Sequence, residues 1–174
     1  MRGTYNDGWV KELSGLMSND TLRHISLIGV GNPIKSDDSV GLYIISKLRR
    51  KYGANPSKFV KIVQASSPDS AMSKIENKSG GKISDVLIVF DSIESNSPAG
   101  SIIFANVGDT KYGFFATHNV PLRLIPSVAS NISNVFVLGV QPANTEVGEG
   151  LTEIVKDSAN RIVNTIGKLI EDFR

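Results

Sequence analysis

Asp38, Asp91 and His118 are the side chains of this 174-residue sequence whose types and positions suit joint chemistry. Asp38 lies where a loop enters a helix after the first predicted strand. Asp91 closes the third predicted strand, and His118 lies in the loop before the fifth. Two carboxylates and one imidazole converging from three strand ends would make an open, three-ligand site for a divalent ion: nickel, zinc or manganese by ligand type. Plainer readings stand beside this one. Asp37 or Asp38 can cap the helix or complement its dipole, Asp91 can cap a turn, and His118 can bond to backbone. His24, the other histidine, starts a strand at the opposite end of the expected sheet and reads as structural.

The composition narrows the chemistry further. No cysteine is present, so disulfides, thiolate nucleophiles, Cys-ligated zinc and iron–sulfur clusters are excluded. Oxygen and imidazole are the ligand types that remain, which suits, without fixing, a reducing cytoplasmic setting. The 19 Lys+Arg nearly balance the 17 Asp+Glu, so charge gives no reason to expect nucleic acid or an acidic membrane surface. No apolar run reaches the length of a membrane span, and the N-terminus lacks a signal-peptide core. No membrane insertion is expected.

The elements that must hold these residues follow from the hydrophobic pattern. Residues 24–30, 59–63, 86–90, 101–104 and 134–140 read as strands, the third being the most β-prone and buried on both faces. Helices are expected over 39–52, closed by Gly53, over about 67–78 after Ser67-Pro68, and briefly from about Asn119. The closing helix carries Ile154, Val155, Ala159, Ile162, Val163, Ile166, Leu169, Ile170 and Phe173 at spacings of three and four. Alternating strands and helices imply an α/β fold: a three-layer α/β/α sandwich around a mainly parallel sheet of about five strands. Residues 21–174 read as one domain. Residues 1–20 form an N-terminal extension in which Trp9, Val10, Leu13, Leu16 and Met17 predict a short amphipathic helix packed on the domain. Ligands of such sheets bind at the carboxyl ends of the strands, where Asp38, Asp91 and His118 are expected.

Familiar motifs are missing at that end. After the first strand comes Gly29-Val-Gly-Asn-Pro-Ile34, with isoleucine where a dinucleotide fingerprint needs its third glycine. The two aspartates that follow would repel a phosphate. Gly80-Gly81-Lys82 lacks the rest of a phosphate loop, and neither G-x-S-x-G nor H-E-x-x-H occurs.

Taken together, Gly29-Val-Gly-Asn32, Asp37-Asp38 with Gly41, Leu87-Ile-Val-Phe-Asp91, Thr117-His-Asn-Val-Pro-Leu122 and Leu138-Gly-Val-Gln-Pro142 resemble the [NiFe]-hydrogenase maturation proteases. The nearest type processes the hydrogenase 3 large subunit of formate hydrogenlyase. The resemblance covers about residues 24–170. It implies an α/β/α sandwich and an endopeptidase, aspartic-type by its acids, that removes a C-terminal peptide from the large-subunit precursor after nickel insertion. It further implies that Asp38, Asp91 and His118 are both the catalytic set and the ligands of nickel presented by the substrate; another divalent metal could occupy them in the isolated protein. Asn32 and Asn119 flank this set and either position substrate backbone or serve turns. Two departures stand out: Gln64 replaces an expected Asp after the second strand, and Ser39 a common glycine. They mark a different precursor, a different hydrogenase-like substrate or lost activity; Gln64 is the argument for one alternative, a non-catalytic chaperone binding nickel or precursor, and another metal-dependent hydrolase on the same fold, such as the germination-protease type, is the second. The implied partner is the hydrogenase large-subunit precursor; the oligomeric state is not legible.

Overall fold

The structure, a computed structural model, describes residues 8–18, 24–64, 85–107, 115–116 and 134–172. Helix α1 spans Gly8–Met17, α2 Val40–Tyr52 and α3 Glu153–Asp172. The strands are β1 (Ile25–Gly29), β2 (Val60–Gln64), β3 (Val86–Glu94), β4 (Ile102–Asn106), β5 (Phe115–Ala116) and β6 (Asn134–Val140). They form one sheet in the order β2-β1-β3-β6-β4, with β5 attached to the far end of β3. β2, β1, β3 and β6 run parallel, while β4 and β5 are antiparallel. This is the expected α/β architecture, with β5 as an addition that its short, weakly patterned sequence does not announce. The helices expected near 67–78 and from Asn119 fall outside the described residues.

Both faces of the sheet are buried, which is why Val86–Phe90 of β3 reads as an unbroken apolar run. On one face Ile25, Leu27, Val86, Ile88, Phe90, Leu138 and Val140 pack against α2 and α3, through Ile44, Ile45 and Leu48 and through Val155, Ile162 and Ile166. Trp9, Leu13 and Met17 of α1 join the same core. Ile28, Val63, Leu87, Val89 and Val137 alternate with these residues and are buried on the opposite face.

The topology creates an opening at one place. From β1 the chain crosses to β2 on one side, then returns to build β3 on the other side. A parallel sheet that reverses its order in this way leaves a crevice beyond the carboxyl ends of the two strands, here β1 and β3. The loop from β1 to α2 and the second half of β3 border that crevice.

Candidate active site

β1 stops at Gly29, in register with Phe90, whereas β6 stays paired with β3 as far as Ser92↔Val140. β3 therefore continues to Glu94, and Asp91 does not close the strand as its sequence suggests. It is the first residue past the point where β1 gives out. Pairing with β6, and with β5 at Ile93 and Glu94, carries the strand through the acid. Local sequence lacks that information because the partners lie far away in the chain.

This step in the sheet shapes the chemistry. Phe90 accepts a hydrogen bond at its carbonyl from Val30 N–H, which marks the side of β3 that faces β1. Backbone groups alternate along a strand, so the Ser92 N–H points to the same side, where β1 has ended. The Asp91 carboxylate supplies an acceptor there: Ser92 N–H donates to Asp91 Oδ1 at 2.8 Å. The Ser92 hydroxyl donates to Asp38 Oδ1, also at 2.8 Å. Asp38, Asp91 and Ser92 are all buried, the last two almost completely.

Asp38 reaches this point because helix and sheet touch backbone to backbone. Residues Ser36–Ser39 form a 3₁₀ turn that runs directly into α2. A Cβ on Gly41 would strike the carbonyl oxygens of Phe90 and Val30, and one on Gly29 the carbonyl of Gly41. The two glycines thus serve close helix–strand packing and not phosphate approach. Ile34, at the missing third-glycine position, is 64% exposed.

Asp37 has a separate task. Its carboxylate accepts the N–H groups of Ala143 and Asn144 at 2.9 Å each, the N–H of Thr152 at 2.7 Å, and the Thr152 hydroxyl at 3.0 Å. Around it Ser36 N–H donates to Gly148 O, Gly148 N–H to Ile34 O, and the Ser36 hydroxyl to Gly150 O. Residues 34–38 and 143–152 are clasped together by a completely buried anion whose partners are backbone and a hydroxyl. Neither this role nor that of Ser92 is visible from spacing, because the partners of Asp37 lie more than a hundred residues away. A serine directly after the strand acid was the one local clue to the second.

The remaining predicted residues fall as follows. Asn32 Oδ1 accepts from Ile34 N–H at 3.2 Å, an Asx turn that shapes the loop. Ser39, at the usual glycine, donates its hydroxyl to Ser36 O at 2.7 Å and so closes the 3₁₀ turn. Gln64 ends β2, exposed and in register with Gly29. His118 and Asn119 lie outside the described residues; Ala116, two positions before His118, pairs with Ile93, two positions after Asp91. Among the described residues, no three of His, Cys, Asp and Glu gather as a metal site, and the acids here number two. His24 stands at the opposite sheet end, where its N–H donates to Asp85 Oδ2 at 2.9 Å.

What such an arrangement can do is limited. Two carboxylates brought to one serine in a buried setting repel each other when ionised, and a divalent cation or a shared proton offsets that repulsion. Such a pair suits an oxygen-binding ion or acid–base work on a polypeptide entering the crevice.

Comparison with known proteins decides the class. Residues 42–169 match the HycI-type hydrogenase maturation protease family. The chain belongs to the hydrogenase maturation protease family. The matched stretch includes Asp91 and starts just after the Asp37-Asp38 pair. A Methanocaldococcus jannaschii protein assigned as a hydrogenase maturation protease is 26% identical over 158 residues, covering 87% of this chain and 91% of that one. The crystal structure of the [NiFe] hydrogenase maturation protease HycI from Thermococcus kodakarensis superposes with a TM-score of 0.76 at 24% identity, over 92% of this chain and 99% of that chain. The Escherichia coli hydrogenase maturating endopeptidase HybD gives 0.63 at 18% identity, over 86% and 93%. Those two likenesses establish a common fold, and the family match makes the chain a protease of hydrogenase maturation. Among the described residues no helix is long and apolar enough to cross a membrane.

Proposed function

We propose that this protease removes the C-terminal peptide of a [NiFe]-hydrogenase large-subunit precursor after nickel has been inserted, and that the precursor's own nickel is what it recognises. The observation that carries the reading is the convergence of Asp38 and Asp91 on Ser92, where the sheet order reverses. Ala116, two positions before His118 in sequence, pairs with Ile93 on the extension of β3. Asp38, Asp91 and His118 then act as a transient ligand set for nickel held in the substrate. A precursor without nickel offers no such bridge and stays uncut. Specificity resides in the partner's metal, with no need for a deep side-chain pocket.

In this reading the ion supplies Lewis acidity, polarising the scissile carbonyl or acidifying a water. Asp38 and Asp91 fix the substrate through the ion, and one of them takes the proton from the attacking water as general base. The isolated protein would accept another divalent cation at the same ligands. The reaction belongs to the cytoplasm, where the precursor is assembled, and involves neither nucleic acid nor membrane insertion.

The test is the mass of the large subunit before and after incubation, for nickel-loaded and nickel-free precursor. Loss of a C-terminal peptide from the loaded form alone is expected. Equal cleavage of both forms would overturn the gating. Binding without any mass change would make the protein a precursor-binding chaperone, the reading that exposed Gln64 at the end of β2 favours.

A further inference from the structure

We infer that Ser92 is the positioning residue that sets the two acids against each other, and that it does so through the two faces of the sheet. The inference rests on Asp38 and Asp91 being nickel ligands, as proposed above. Alternation along β3 places Ser92 on the same face as Phe90, which packs against α2, while Asp91 shares the opposite face with Val89 and Ile93. Asp38 arrives from the α2 side, on the 3₁₀ turn that leads into that helix. The two carboxylates therefore approach the crevice from opposite faces of one strand.

Ser92 joins the two sides with two different groups. Its hydroxyl carries one proton and gives it to Asp38 Oδ1, while its amide gives its proton to Asp91 Oδ1. A carboxylate held at Oδ1 has the direction of its Oδ2 fixed, since the group is planar. One residue thus sets the orientation of both acids. The amide bond survives any substitution except proline, so the side chain specifically governs Asp38. Partners of this kind, hydrogen-bonded to a metal ligand without touching the metal, typically alter metal affinity when removed.

The experiment is calorimetric titration of the full-length protein with nickel chloride, with thermal melting of each variant alongside. Asp38→Ala and Asp91→Ala test the site, and Ser92→Ala tests the inference. Loss of nickel binding is expected in the first two, and a ~10- to 100-fold weaker binding in the third. Ser158→Ala is the control, because Ser158 is equally buried and donates to Gly100 O at 2.6 Å outside the pair. It should leave nickel affinity unchanged. Ser92→Thr keeps the hydroxyl and should stay within about 3-fold of the parent, and it carries the test if the alanine variant unfolds. Parental affinity in Ser92→Ala, equal weakening in Ser158→Ala, or loss in a folded Ser92→Thr overturns the role of Ser92. If Asp38→Ala and Asp91→Ala bind like the parent, or the parent binds no nickel, the site reading fails with it.

Discussion

Asp37 and Asp38 are neighbours in sequence, both buried, and belong to regions built for opposite purposes. The clasp around Asp37 gives its carboxylate four donors, three of them backbone amides, and joins two distant loops. The step in the sheet around Asp38 and Asp91 instead brings two buried acids to one serine. A buried anion surrounded by amides is stabilised, and it holds structure. The difference shows that adjacent acids can be claimed by different parts of the chain; the proposed function makes Asp38 the working one and Asp37 the structural one.

Substitutions test that contrast. The largest effect should come from Asp38→Ala, Asp91→Ala and His118→Ala, each lowering processing of nickel-loaded precursor by at least ~100-fold with melting temperature nearly unchanged. Intact-mass kinetics on the large subunit measure it; full activity in all three would end the site assignment. Asp37→Ala should instead act on stability. It strands buried amide donors and costs about 3 kcal/mol or more, a fall of roughly 6–12 °C in melting temperature for a chain of this size. An unchanged melting temperature with activity lost would erase the contrast and move Asp37 into the site.

Gly41→Ala sharpens the contrast by disturbing both regions at once. The added methyl meets the Phe90 and Val30 carbonyls, so α2 must shift on β3, costing roughly 1–3 kcal/mol. Processing should fall by more than that instability explains, because Asp38 moves off Ser92. Ser39→Gly should have the smallest effect. It removes the hydroxyl bond to Ser36 O, and stability should change by less than about 1 kcal/mol with activity retained.

Much of the frame was legible because buried parallel strands and an amphipathic helix leave regular apolar patterns. Val86–Phe90 and the stripe of α3 fall where those patterns put them. The extension of β3 through Asp91 was not legible, since β6 and β5 impose it from later in the chain. A helix cap was one reading open to Asp37 or Asp38, and long-range amides claim Asp37 instead. The close approach that Gly29 and Gly41 allow was not legible either, since the carbonyls they face belong to other elements. Asp38 and Asp91 were singled out from strand ends alone, by the rule that parallel sheets bind ligands there, and the structure brings both to Ser92.

The clasp also bears on the order in which the protein can be made. Asp37 lies in the first quarter of the chain, and its last donor, Thr152, comes 115 residues later. β6, which carries β3 through Asp91, likewise starts at Asn134. During synthesis, which delivers the N-terminal part first, α2 and the first strands emerge long before either partner exists. A contact spanning most of the chain must await that closure and forms late. The clasp therefore cannot close on a nascent chain, and a fragment released before residue 152 would carry Asp38 and Asp91 without the full set of donors that holds the loop of Asp38.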